Sequence, residues 1–200
     1  MTDLVKDYGI LKATNSTFES LIQGTAVYPG GTGLWRGDQP FGPLPETFPE
    51  NSLMLVAHNF DNEKGYLRSL KRGAEQLTGR FWKYTRLYIS SANLEDLTLE
   101  KCFFSNALMG LQPGKASGKM PTTDLFRCQC RQFLFKQIEV VRPRRIAILG
   151  GDARKEMDHI RTHVKTAFIR HPSSVGYVKA ELRGGIISQE ASKIAALWAD

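Results

Sequence analysis

Two short polar segments carry side chains suited to hydrolytic chemistry, and each one directly follows an apolar run. Residues 58–61 (HNFD) follow the run at 52–57, and residues 170–174 (RHPSS) follow the run at 164–169. An imidazole can donate or accept a proton near neutral pH, an amide can orient water, and a carboxylate can act as a general base. We therefore expect any chemistry of this chain to involve the ends of these two runs.

The elements that must position these segments alternate along the chain. Apolar runs predict buried strands at 52–57, 103–111, 145–149 and 164–169, and amphipathic patterns predict helices at 65–77, 125–141, 153–163 and 188–198. This order predicts the α/β class, with a three-layer α/β/α domain around a central, mainly parallel four-stranded sheet. Open sheets of this kind bind ligands at the carboxyl ends of their strands, where both polar segments begin.

The first quarter of the chain has a different composition. Residues 14–23 begin with cap-type residues and predict a short helix. Residues 28–45 hold five glycines and four prolines, so we expect a long Gly/Pro-rich loop there. No repeat or linker divides the sequence, which predicts a single domain over residues 1–200.

The chain is basic, since 27 Lys and Arg against 20 Asp and Glu give a formal net charge of +7. This charge fits a polyanionic partner and fits equally a basic surface with no special role. The first residues do not read as a secretory signal, and no run approaches the ~20 apolar residues of a membrane span. We expect a cytoplasmic monomer that does not bind a membrane.

The three cysteines, Cys102, Cys128 and Cys130, are odd in number and offer no set of four soft metal ligands. They predict reduced thiols, without a structural metal or a cofactor.

Four landmarks occur in a characteristic order: the segment AHNFD at 57–61, the apolar run FFSNALMGL, a cysteine-bearing helix leading into RIAILGGDA, and a strand running into His-Pro-Ser-Ser. This order resembles the uracil-DNA glycosylase superfamily over residues 53–177. The resemblance implies that Asn59 orients the attacking water and that His171 stabilises the departing anionic base. It also implies that Asn106 reads the Watson–Crick edge of that base.

Further residues receive roles from the same resemblance. It implies that Ser173 and Ser174 bind backbone phosphate, and that Phe60 or Tyr66 stacks on the base. Asp61 is a candidate general base that removes a proton from the attacking water. His58, on the neighbouring part of the same segment, is a candidate for substrate binding. In the segment GKASGK, Lys115 and Lys119 suit a flexible loop that contacts backbone phosphate, although a plain solvated loop fits as well.

Several positions depart from the superfamily pattern, since Ala57 replaces an expected Gly and Phe60 an expected Pro. The leading hypothesis is a DNA glycosylase that hydrolyses the N-glycosidic bond of a deaminated base, uracil or similar, in single- or double-stranded DNA. The main alternative is a catalytically inactive, nucleic-acid-binding member of the same superfamily. A third is a hydrolase of small-molecule nucleosides or nucleotides.

Each of these residues also has a purely structural interpretation. His171 and Asn59 would then be satisfied polar residues of turns, and Asn106 would bond locally within its run. The aromatic segment at 81–84 lies among basic residues and fits either a nucleic-acid surface or a packed helix edge.

Overall fold

The structure is a computed structural model that describes residues 25–28, 31–36, 39–41, 53–59, 64, 65, 68, 71, 79–95, 97–108 and 123–199. Before residue 53 it describes the backbone pairing of strands only. Outside the described residues lie the helix predicted at 14–23 and five candidate site residues: Phe60, Asp61, Tyr66, Lys115 and Lys119.

A seven-stranded sheet forms the centre of the domain. Its strands are β1 (Thr25–Tyr28), β2 (Gly31–Arg36), β3 (Gln39–Phe41), β4 (Leu53–Asn59), β5 (Phe103–Leu108), β6 (Arg145–Leu149) and β7 (Lys165–Ile169). They lie in the order β3-β2-β1-β5-β4-β6-β7. The last four in this order are parallel to one another, which confirms the predicted four-stranded parallel sheet.

Helices cover both faces of the parallel strands. The helices that the structure describes along their whole length are α1 (Gly79–Ser91), α2 (Asp124–Val141), α3 (Gly151–Met157), α4 (Pro172–Val175) and α5 (Ala180–Ala196), with a 3₁₀ turn at Leu99–Lys101. Residues of α1 and α5 pack on one face, called here the first face, and residues of α2 and α3 pack on the second face. The predicted three-layer α/β/α class is confirmed. Among the described helices, none has both the length and the apolarity that crossing a membrane requires.

The central position of β4 explains its continuous apolar run. Leu53, Leu55 and Ala57 belong to the cluster on the first face, and Met54 and Val56 to the cluster on the second. Successive side chains of a strand point to opposite faces, so a strand covered on both sides needs apolar residues throughout.

The prediction of a loop over residues 28–45 is wrong. Strands β2 and β3 lie within that range, and β1 pairs antiparallel with β2 and with β5. Glycine keeps its backbone donor and acceptor and so can join a ladder, and the connections between these strands are only two residues long, as in hairpins. Pro40 lies in β3, at the end of the sheet order, where a strand tolerates the missing N–H.

Helix boundaries agree with the sequence where local capping decides them. Thr123 accepts a hydrogen bond from the Phe126 amide at 3.2 Å. Helix α2 ends at Val141 and is capped by Arg142, which has a left-handed φ of 47° and directly precedes Pro143. By contrast, α3 ends earlier than predicted and α5 begins earlier. The pair Gly184-Gly185 lies inside α5. In the sequence this pair predicts a later start of the helix, because glycine is unfavourable in a helix interior.

Candidate functional site

The polar segments at the end of β4 and after β7 lie together at the carboxyl ends of the parallel strands. The chain leaves β4 for β5 on one side, and then crosses back past β4 to form β6 on the other. Since α1 lies on the first face and α2 on the second, the end of β4 is the topological switch point of the sheet. Open α/β sheets bind ligands in the crevice outside such a point. His58 and Asn59, both half-buried, occupy this end of β4.

His171 lies beside this point, two residues after β7, and the backbone of Gly150 holds it in place. A Cβ atom built on Gly150 would lie 3.0 Å from the His171 Cβ and 3.2 Å from its Cδ2. Gly150 has a φ of +96°, which only glycine adopts without strain, and its amide donates to the Ile169 carbonyl at 2.8 Å. The ends of β6 and β7 thus fix the position of the imidazole.

The surroundings of His171 favour its neutral form. Burial lowers the pKa of His171 below its ordinary value, the nearby His58 lowers it further, and the carboxylate of Asp152 acts in the opposite direction. Both His58 and Asp152 are therefore electrostatic neighbours of the imidazole. A neutral imidazole carries one N–H donor and one acceptor nitrogen at physiological pH.

An aromatic cluster from α1 and β5, called here the aromatic wall, lies beside His171. The Phe81 ring centroid lies 5.4 Å from that of His171, 5.0 Å from that of Trp82 and 5.5 Å from that of Phe104. Trp82 and Phe104 are buried, whereas Phe81 is half-buried. The aromatic segment is thus a packed helix edge, and its half-buried ring lies beside His171.

Asn106 lies in the middle of β5 and is only 2% exposed. Its Cα pairs with that of Ala57 on β4. Strand alternation places its side chain on the first face with Phe104, because Ser105 points to the second face, where it donates to the Gln137 carbonyl oxygen. A polar amide is therefore held in the layer that also contains the aromatic wall.

The turn after β7 is stabilised by its own hydrogen bonds. The Ser174 hydroxyl donates to the His171 carbonyl at 2.7 Å and accepts from Arg170 Nε at 3.2 Å. The Arg170 amide donates to the Glu190 carboxylate at 2.9 Å, and that carboxylate also binds Lys193. These bonds fix the backbone on both sides of His171.

An exposed tyrosine follows this turn. Tyr177 is 80% exposed, and the Arg80 guanidinium lies 4.9 Å above its ring centroid. Arg183 donates to the Val178 carbonyl at 2.9 Å and to the Gly176 carbonyl at 3.3 Å, so the backbone that carries the ring is held from behind. An exposed aromatic ring beside an arginine, carried on a hydrogen-bonded backbone, is suited to stack on a nucleic-acid base.

The structure places the described candidates at the same end of the sheet but in different settings. His58 and Asn59 end β4, and His58 is an electrostatic neighbour of His171 after β7. Asn106 lies buried in the neighbouring strand, and Ser173 is half-buried in α4. The hydroxyl of Ser174 takes part in the turn itself.

Gly150, Asp152, Phe81 and Tyr177 are not among the predicted site residues. The pair Gly150-Gly151 after a predicted strand is a sequence signal that marks the first of them, but the other three are identified by contacts between distant segments.

Among the described residues, no group of three or more His, Cys, Asp or Glu side chains is arranged to hold a metal ion, and all three cysteines are free thiols. No protein-family model matches this chain, and no curated protein matches it significantly.

Proposed function

We propose that this protein is a DNA glycosylase that hydrolyses the N-glycosidic bond between a deaminated base, uracil or similar, and its sugar. The observation that carries the proposal is the setting of His171. A neutral imidazole is held rigidly at the switch point of the sheet, beside an aromatic wall and in the same layer as a buried amide.

His171 acts on the leaving group. As the glycosidic bond breaks, its electron pair moves onto the base, and negative charge develops on a carbonyl oxygen of that base. An N–H donor that is already fixed near this oxygen stabilises the charge without having to reorient. The lowered pKa of His171 suits this role, because the neutral ring keeps its proton and shares it as a hydrogen bond.

Asn106 and Phe81 recognise the base. An amide offers a donor and an acceptor side by side, which matches the alternating acceptor and donor on the edge of uracil. The exposed part of the Phe81 ring offers a face on which an extruded base can stack. In this proposal the imidazole, the aromatic ring and the amide together hold the base.

Asn59 positions the water. Its amide oxygen can accept a hydrogen bond from a water that attacks the sugar carbon, but an amide is too weak a base to remove a proton before attack. The rate then depends mainly on leaving-group stabilisation and positioning. Asp61, two residues further along the chain, is the carboxylate that we assign as the alternative base.

DNA is the partner in this proposal, and the protein acts on it as a cytoplasmic monomer. Arg80, Tyr177 and Arg183 lie next to the turn that carries His171 and contribute charge and a stacking surface. Ser173, Lys115 and Lys119 are assigned to backbone phosphate. The net charge of +7 favours such binding because neutralised phosphates release counterions.

The inactive nucleic-acid-binding protein is the second candidate, and the end of β4 is the observation that favours it. The described residues there are Ala57, His58 and Asn59, so no carboxylate faces the switch point from the strand itself. Salt-sensitive DNA binding without base release would support this candidate.

The two candidates are separated by measuring abasic sites on oligonucleotides that carry uracil or hypoxanthine. His171→Ala should abolish base release. His159→Ala is the matched control, because His159 is exposed and follows α3. Base release by the wild type that the His171 variant lacks and the control retains supports the glycosylase.

A further inference from the structure

Strand β7 has one open face away from the candidate site. Ala167 and Ile169 pack against the first-face cluster, whereas Thr166 and Phe168 point to the second face and are exposed. On that face α3 has only seven residues and packs over β4, β5 and β6. Phe168 thus remains 38% exposed on a strand that is the last of the sheet.

Basic residues surround this open face. The Arg154 guanidinium lies 5.1 Å above the Phe168 ring centroid. Arg161 is exposed in the segment before β7, and exposed Arg144 directly precedes β6, which pairs with β7. Lys165 points to the first face instead, where its Nζ donates to the Ala199 carbonyl. We call this set the β7 surface: Arg144, Arg154, Arg161, Thr166 and Phe168.

Acidic residues scarcely offset this charge. The sequence contains no Asp or Glu between residues 159 and 180, and none between 140 and 151. Asp158 lies 3.9 Å from Arg154, but both side chains are more than half exposed, and such pairs contribute little. The β7 surface therefore carries a net positive charge from its three arginines, together with the exposed ring of Phe168.

The positive charge of the β7 surface and the exposed ring of Phe168 together indicate which partner binds there. A second copy of this chain would bring the same positive surface to the edge of β7 and would be repelled. A purely apolar partner would find only one large apolar side chain. A single nucleic-acid strand supplies both phosphates for the cations and unpaired bases for the ring.

We propose that the β7 surface binds single-stranded nucleic acid, with phosphates on its arginines and a base on Phe168. This is a second site, because Phe168 points to the second face of the sheet, whereas His171 contacts Phe81 of α1 on the first face. Strand β7 spans about 13 Å at ~3.3 Å per residue, which corresponds to roughly four nucleotides of a stacked strand.

The test uses fluorescence anisotropy with a labelled oligothymidylate of about 20 nucleotides, which contains no deaminated base and is long enough to cover the surface. Arg144→Gln/Arg161→Gln is compared with Lys83→Gln/Lys136→Gln, which removes the same charge from exposed positions on α1 and α2. The arginine variant should lower the slope of log affinity against log salt by about 1.4, at ~0.7 per phosphate contact. Equal losses in both double variants, or no binding by the wild type at low salt, overturn the proposal.

Phe168→Leu separates base stacking from charge, since it keeps every cation and an apolar side chain. It should weaken oligothymidylate binding about fivefold or more, and leave polyphosphate binding unchanged. If both ligands weaken alike, or if polyglutamate competes as well as oligothymidylate does, the surface is an anion or acidic-protein site and the proposal is wrong.

Binding of oligothymidylate by the β7 surface does not depend on base excision. His171→Ala should bind oligothymidylate through the β7 surface as the wild type does. If the wild type releases no base but the arginine variant shows the reduced slope, the glycosylase proposal fails and the β7 surface stands. If the wild type releases base and the arginine variant keeps the wild-type salt slope, the glycosylase proposal stands and the proposal for the β7 surface fails.

Discussion

The side chain of His171 lies directly against the backbone of Gly150, so closely that a Cβ on Gly150 would approach the His171 Cβ to 3.0 Å. The two residues follow adjacent parallel strands, and the bond from the Gly150 amide to the Ile169 carbonyl ties those strands together at this point. The position of the imidazole is therefore set by rigid elements, as a fixed donor for a developing anion requires.

Gly150→Ala should reduce both stability and base release. The left-handed φ of +96° costs an L-residue about 1–2 kcal/mol, and the new methyl group must displace the His171 side chain. We expect the free energy of unfolding to fall by at least that amount in urea titrations, and base release to fall further, because the imidazole moves.

Gly151→Ala is the control for this change. A Cβ on Gly151 meets nothing within 4 Å, and Gly151 begins helix α3, where alanine is favoured. Similar behaviour of the two variants would contradict the role assigned to Gly150.

The pKa of His171 should respond in opposite directions to its two charged neighbours. His58→Gln removes a group that lowers the pKa of His171, so the value should rise, while Asp152→Asn removes a group that raises it, so the value should fall. NMR titration of the imidazole resonances measures both shifts. A His171 pKa that neither substitution moves would contradict the proximity of these groups.

The same pKa predicts how stability depends on pH. The folded value lies below the unfolded value of about 6.5, so the unfolded chain binds more protons in acid. The contribution of His171 to the free energy of unfolding is fully present above about pH 6.5, and it is lost as the pH falls through the folded pKa. His171→Asn should weaken this acid sensitivity in unfolding measurements on either side of that range. An unchanged pH dependence would show that other groups control it.

Tyr177→Ala should weaken DNA binding without changing its salt dependence, because the substitution removes a stacking surface and no charge. We expect a loss of about 1–3 kcal/mol if one base stacks on the ring. Tyr177→Phe should bind normally, and Arg80→Gln should reduce the salt slope by about one contact. Equal binding by the Ala and wild-type proteins would remove this residue from the interface.

Tyr88→Phe should leave stability unchanged or raise it by about 1 kcal/mol. Tyr88 is 1% exposed, and its hydroxyl has no hydrogen-bond partner among the described residues. Burial, followed by the charge of Glu190, raises the pKa of this phenol well above its ordinary range. Removing the hydroxyl therefore removes an unsatisfied polar group.

Ser105→Ala provides the contrast, because the Ser105 hydroxyl donates to buried Gln137. Its loss should cost about 1–3 kcal/mol, since the amide oxygen is left without this donor. Thermal or urea unfolding compares the two variants. A larger loss for Tyr88→Phe than for Ser105→Ala would contradict the account.

The parallel strands could be predicted because local pattern and final environment agree. Strand β6 is the predicted run at 145–149, and both of its faces are covered. Strands β2 and β3 were missed because their glycines and prolines indicate turns, and only pairing with a neighbouring strand makes them regular. Helix α1 carries tryptophan, tyrosine and isoleucine, which have modest helix propensity, and packing of Trp82, Tyr84 and Tyr88 stabilises it.

The candidate site was predictable as a set of strand ends but not as a set of contacts. The polar segments after β4 and β7 are visible in the sequence, and the rule for open sheets places them together. The contacts of His171 with Phe81 and Gly150 join segments far apart in the chain, and no local pattern encodes such distances. Packing of α1 across the first face brings Phe81 to His171, and pairing of β6 with β7 brings Gly150 there.

The central claim is that His171 stabilises a departing base, and the most direct measurement is base release from a uracil-containing oligonucleotide by wild type, His171→Ala and His159→Ala. The account predicts that His171→Ala loses base release by a factor of at least 100, binds the oligonucleotide within about twofold of wild type, and that His159→Ala retains both. Equal loss of binding and release in His171→Ala would contradict the catalytic role, and so would a folded wild-type protein that releases no base from uracil or hypoxanthine.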